Sequence, residues 1–179
     1  MIKKILIIIG LIILVFVLIV ATRRADFRIT RSTTIAAPAE VVFAEVNDLH
    51  KWADWSPWAK LDPTMKQTYE GAAAGTGAIY SWAGNKDVGE GRMTITESRS
   101  NELIRIKLEF LKPFAAVNIT EFAFTPEGDQ TAVSWTMTGT NNFMAKAFCM
   151  FMNMDKMVGG DFEKGLAQLK VAAEAGAKK

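Results

Sequence analysis

The chain has 179 residues, half of them hydrophobic and 22% charged, with a formal net charge of +2. That length fits one domain plus a short appendage, and Lys3, Lys4, Arg23 and Arg24 outweigh the whole net charge, so everything from Ala25 onward is slightly acidic. A body without a basic stripe argues against nucleic acid as a partner; one cysteine and one histidine exclude an internal disulfide and a Cys/His metal cluster, and no cofactor or metal is expected.

The segment 5–21 is an uncharged, almost wholly aliphatic run, bounded by Lys3 and Lys4 on one side and Arg23 and Arg24 on the other. With Thr22 it makes a helix of roughly 27 Å at about 1.5 Å per residue, which nearly matches a hydrocarbon core of about 30 Å. A cleaved secretory signal is the competing reading, but such signals have shorter apolar runs and a small-x-small cleavage site. Ile19-Val20-Ala21 lacks the small residue at the first of those positions. A buried core helix is the third reading. The expectation is an uncleaved transmembrane anchor over 1–24 and a membrane as partner. Orientation signals oppose one another. Arg23, Arg24, Arg28 and Arg31 favour a cytoplasmic body, whereas a short basic N-terminus before a first apolar segment favours export.

The body, 25–179, reads as strand, short helices, strands and a long helix. Residues 27–35 alternate and are rich in β-branched side chains, as a strand requires. Pro38 is placed as a first helical residue, with Val41, Val42, Phe43 and Val46 as the apolar face. The Trp-rich stretch Trp52…Trp55-Ser-Pro-Trp58 predicts a second short helix or turn. Strand-like runs follow at 66–70, 78–83, 91–97, 103–111, 117–125 and 131–140, each closed by turn residues. Ile104, Ile106, Leu108 and Phe110 share one face, as do Val133, Trp135 and Met137, so the sheet is antiparallel with one covered face. From 143 to about 175 the spacing becomes helical: Phe151, Met154, Val158, Phe162, Leu166, Leu169 and Ala173 recur at steps of three or four.

This order, α+β with a curved antiparallel sheet, two short helices and a long C-terminal helix after one transmembrane helix, resembles the helix-grip superfamily (SRPBCC). That superfamily includes START-like lipid-transfer domains and polyketide cyclase/dehydrase-like proteins. The likeness spans roughly 28–170 and rests on Ile35-Ala-Ala-Pro38-Ala-Glu-Val-Val-Phe43, the Trp52…Trp58 segment, Gly77-Ala-Ile-Tyr80-Ser-Trp82-Ala-Gly84-Asn85 and Asp161-Phe162-Glu-Lys-Gly-Leu166-Ala-Gln-Leu169-Lys. The resemblance implies a cavity between sheet and last helix, with a lipid or other hydrophobic small molecule as partner. The expected lining is Tyr80, Trp82, Ile106, Leu108, Phe110, Trp135 and Met137 from the strands. Phe151, Met154, Val158, Phe162 and Leu166 come from the helix, with Trp55 and Trp58 near one end.

Candidates for other chemistry are few. His50 is a solvent-facing loop residue unless Asp48 or Asp54 partners it for acid–base work. Glu121 enters the cavity only if Val117 and Ile119 face inward; if Phe122 and Phe124 do, it points out. Gly71-Ala-Ala-Ala-Gly75-Thr-Gly77 lacks the Lys-Ser/Thr of a phosphate loop and reads as a strand-joining turn. Gly159-Gly160 is read either as a helix break or close packing, or as a hinge. The apolar stretch 143–157 also suits a membrane surface beside the anchor. Two rivals to ligand binding remain: an enzyme using Glu121, His50 or Tyr80, and an interaction module with a filled core.

Overall fold

A computed structural model describes residues 2–178. It begins with α1 (Ile2–Thr22), a helix long and apolar enough to cross a membrane. Its aliphatic side chains are exposed along nearly the whole length, and only Val20, in its last turn, is buried.

Next come β1 (Asp26–Ile35), α2 (Ala39–Asn47), a 3-10 turn (Leu49–Lys51) and α3 (Trp52–Trp55). Six strands follow: β2 (Lys66–Gly71), β3 (Ala78–Ala83), β4 (Glu90–Arg99), β5 (Leu103–Lys112), β6 (Ala116–Glu127) and β7 (Gln130–Thr140). The chain closes with α4 (Phe143–Cys149) and α5 (Met154–Gly176). All seven strands form one curved antiparallel sheet in the order β1-β7-β6-β5-β4-β3-β2, so the first and last strands are neighbours. A register shift between Ile95 and Glu97 interrupts the β4–β5 ladder, and such bulges bend and twist a strand pair. The fold is the α+β helix-grip arrangement that the element order led us to expect.

Pro38 stands just outside α2, in extended conformation, and its carbonyl accepts from Val41 N and Val42 N. Val42, Phe43 and Val46 are buried against the sheet side, Val41 only partly. The glycine-rich segment joins β2 to β3, and Gly71, Gly75 and Gly77 all have positive φ (76°, 72° and 90°), a conformation that side chains with a Cβ rarely adopt.

The last helical region is not continuous. α4 ends at Cys149, and α5 starts anew behind Asn153, whose side chain accepts from Lys156 N at 2.9 Å. Asparagine in this position satisfies a backbone donor left free by the first turn. Gly159-Gly160 interrupts nothing. Gly159 lies against the guanidinium of Arg31, which leaves no room for a Cβ, while Gly160 faces open space. Arg31 in turn donates to Asp155 Oδ2 at 3.0 Å and to Glu163 Oε1 at 2.7 Å, tying β1 to the first turns of α5. Farther along, Lys170 Nζ reaches Thr34 O and Ala36 N donates to Glu174 Oε1, so α5 follows β1 along its length.

Candidate functional site

The side chains on the concave face of the sheet divide into two sets along the strands. Ala78 on β3, Ile95 on β4, Ile104 and Ile106 on β5, Phe122 and Phe124 on β6 and Val133 on β7 are packed into the core with α2, α3 and α5. The next inward positions are Tyr80 and Trp82, Met93, Leu108 and Phe110, Thr120, and Trp135 and Met137, and these line an open cavity, with Met93, Trp135 and Met137 also buried against the core. The β4–β5 ladder matches this division, since Ile95 pairs with Ile106 and Met93 pairs with Leu108, while on β6 and β7 the two sets meet, Phe122 pairing with Trp135. Trp58 from the segment after α3 and Met157, Val158 and Phe162 from α5 complete the walls. The cavity holds about 320 Å³, the lower end of the range for small-molecule sites and roughly the liquid volume of ten waters.

The walls are dominated by aromatic rings in contact. Trp135 carries Trp52, Trp55 and Trp58 edge-on, with Phe162 stacked on it. Tyr69, Tyr80 and Trp82 form a second series, followed by Phe110 edge-on to Trp82. Buried donors are satisfied. Trp135 Nε1 donates to Thr120 Oγ1 at 2.9 Å, Thr120 Oγ1 donates to Thr136 O, and Trp82 Nε1 donates to Val88 O. Gly91 faces the Trp82 ring where a Cβ would collide with it. Burial, with Tyr69 adding to it, pushes the phenol of Tyr80 up to about 12. Tyr69 is raised as well, first by burial and then by the charge of Asp48.

Nine of the residues expected at the site line this cavity: Trp58, Tyr80, Trp82, Leu108, Phe110, Trp135, Met137, Val158 and Phe162. Five do not. Trp55 is fully buried behind the wall, with Nε1 donating to Glu45 O. Ile106 and Leu166 belong to the filled part of the core. Met154 is the first residue of α5 and faces the 149–153 connection. Phe151 lies before α5, 77% exposed, and stacks on Phe16 of α1. The helical phase resets at Asn153, so no single stripe runs from Phe151 to Leu166. Sequence reasoning missed Leu49, Trp52, Met65, Gln67, Tyr69, Met93 and Thr120 among the lining residues. The inward parity of Met93 was available from the strand alternation, and that of Thr120 follows once Phe122 and Phe124 face inward; Gln67 and Tyr69 share one face of β2, whose alternation does not say which face is covered, and Leu49, Trp52 and Met65 lie in the 3-10 turn, in α3 and in the loop before β2.

The acid–base candidates lie elsewhere. Phe122 and Phe124 face inward, so Glu121 points out and pairs with Arg105, which also binds Glu97. His50 Nδ1 is 2.9 Å from Asp48 Oδ1 and its ring stacks on Tyr69 at 4.0 Å, but the side chain is half exposed and outside the cavity lining. Cys149 ends α4, partly buried. Among the described residues no cluster of three metal-ligating side chains forms.

The chain belongs to the family described as polyketide cyclase / dehydrase and lipid transport, whose model matches residues 26–174. No curated protein matches it in sequence. Among solved structures it is similar to protein CV1439 from Chromobacterium violaceum, at 17% identity and a TM-score of 0.59 over 84% of this chain and 97% of that one. It is also similar to the di-domain ARO/CYC StfQ of the steffimycin biosynthetic pathway, at 13% identity and a TM-score of 0.61, covering 87% of this chain and 53% of that one. A third likeness is to Ara h 8.0201, at 11% identity and a TM-score of 0.55, over 85% of this chain and 97% of that one. At such identities the likeness is one of fold.

Proposed function

We propose that residues 25–179 form a domain that binds one apolar small molecule, a single acyl chain or a compact polycyclic compound, and that residues 1–24 anchor it to a membrane. The observation that carries this reading is the divided sheet face. Half of it is closely packed, while the other half borders about 320 Å³ of space lined by aromatic and aliphatic groups. Native cores leave few voids larger than a water, so unfilled apolar space of this size in a well-packed domain supports a ligand. The family description, which includes lipid transport, points the same way. The two phenols of Tyr69 and Tyr80 and the amide of Gln67 provide polar atoms along one wall, suited to a ligand with one hydroxyl or carboxyl group.

The test is Val158→Trp. Val158 is half buried on the cavity wall. If the space is a binding site, the indole enters it, binding of a fluorescent fatty acid or sterol weakens at least tenfold, and the melting temperature stays close to the parent's. A close-packed site would instead lose about 1–3 kcal/mol from overpacking, with no probe binding in the parent, and that result would refute the proposal.

A further inference from the structure

The ladders place one set of strand ends together. Asp26 pairs with Thr140, Asn118 with Gly139, Phe110 with Ala116, Glu90 with Lys112, Ala83 with Glu90, and Lys66 with Ala83. α1 leaves from this end, because Thr22 lies just before Asp26. The cavity lies toward the same end, since its lining positions on β2 to β7 fall in the halves of those strands that run to these residues. Four lining residues are exposed: Gln67 follows Lys66, Asp87 lies in the 84–89 loop, Met157 lies in the first turn of α5, and Ala53 lies on α3.

Apolar side chains concentrate here as well. Phe114 in the β5–β6 turn is 82% exposed, Phe151 77% and Met144 72%, with Leu111 and Phe148 also more than half exposed. Neither 111–116 nor 141–154 contains an acidic residue. Soluble monomers rarely gather exposed apolar groups in one place without a partner for them. The partner is indicated by continuity with α1. Phe16 of α1 stacks on Phe151, and Lys146 folds back to donate to Ala21 O and Arg23 O at the C-terminal end of α1. The apolar surface of α1 therefore runs on into α4 and the 150–153 connection.

We propose that this face of the domain rests on the lipid bilayer that α1 enters, with Phe114, Met144, Phe148 and Phe151 in the acyl region. The cavity mouth then opens at the lipid surface, and the ligand passes directly between membrane and cavity. This rests on the reading of α1 as an anchor and of the cavity as a ligand site.

The experiment uses the full chain in vesicles of phosphatidylcholine and phosphatidylglycerol. In a Cys149→Ser background, single cysteines replace Phe114, Phe148, Phe151 and, as a control at the opposite end of the sheet, Asp129. Each carries a nitroxide label, read for access to oxygen, which concentrates in lipid, and to a water-soluble nickel complex. The expected result is lipid exposure at 114, 148 and 151 and water exposure at 129. Equal water exposure at all four overturns the proposal. Shielding of the three from both reagents also overturns it, because a protein then covers the face. Phe114 and Phe151 are so exposed that their replacement spares the fold, and they decide the matter if the Phe148 variant does not fold. In a second arm, Phe114→Glu with Phe151→Glu slows uptake of a fluorescent fatty acid from vesicles by about tenfold or more, with probe binding in detergent unchanged; uptake at the parent's rate counts against the proposal. Binding in detergent with water-exposed labels removes the docking and leaves the cavity reading. Lipid-exposed labels without any probe binding do the reverse.

Discussion

The indole of Trp135 lies face to face with the ring of Phe162, their centroids 4.1 Å apart and their planes 6° from parallel. This contact joins the sheet to α5 at the boundary between filled core and cavity. One turn along α5, Gly165 allows the approach, since a Cβ there would lie 2.7 Å from the Trp135 ring. Phe162 is nearly inaccessible to solvent. Phe162→Ala is therefore expected to cost about 3–5 kcal/mol, read from urea unfolding followed by tryptophan emission. A loss below about 1 kcal/mol would mean that α5 is held chiefly by its other contacts.

Asp62 links two loops at the rim. Its carboxylate accepts from Thr64 Oγ1 at 2.7 Å, Thr64 N at 3.0 Å and Asn85 N at 2.7 Å. These bonds, that of Thr64 Oγ1 first, hold its pKa below the ordinary aspartate value. A depressed folded value means that the stabilisation is present above the unfolded pKa and is lost as the pH falls through the folded one. Asp62→Asn should melt below the parent at neutral pH, and the gap should close as the solution is taken below the ordinary aspartate range. A gap independent of pH would assign the effect to packing rather than charge.

The chain contains two tyrosines, Tyr69 and Tyr80, and both are raised. In the unfolded chain a phenol ionises near its ordinary value of 10, whereas Tyr80 in the fold holds its proton to about 12. The neutral phenol thus contributes stability below pH 10 that disappears as the pH climbs towards 12. Ultraviolet titration of the folded protein should show no full phenolate step near pH 10, and Tyr80→Phe should lessen the loss of stability on the alkaline side. A two-proton step at pH 10 in protein that is still folded would contradict the burial of both rings.

Removal of 1–24 should leave a cooperatively folding domain. The contacts given up are few: Val20, the Phe16–Phe151 stack and the Lys146 bonds to Ala21 and Arg23. A chain beginning at Ala25 is expected to unfold in one transition with a midpoint near that of the full chain in detergent, and to lose membrane association. Failure to fold would make α1 part of the core.

The strands were legible because Ile104, Ile106, Leu108 and Phe110 alternate with charged residues, and the observed ends of β3 and β5 fall within a residue of those expected. Alternation tells which face a residue takes and nothing about how far the neighbouring face is filled. Ile106 and Leu108 had equal claims on the cavity, and only the packing of α2 and α3 over one end of the sheet distinguishes them. On the last helix the error came from treating 143–175 as one periodic stretch. Asn142 and Asn153 both cap helix starts, and the second was a visible sign of a new beginning that the run of Phe and Met obscured. Glu121 was decided by the parity of Phe122 and Phe124, where burial of two rings outweighs exposure of Val117 and Ile119.

The partition of the concave face has an evolutionary consequence. Ile95, Ile104, Ile106 and Phe122 are locked among neighbours on every side, so most replacements there endanger the domain itself. Leu108 and Val158 are only partly buried and border the cavity, and a larger side chain at either of them has room to enlarge into. The two sets lie on the same strands but answer to different demands. A lineage carrying this domain is thus free to try new pocket shapes in single steps, each tolerated by the scaffold.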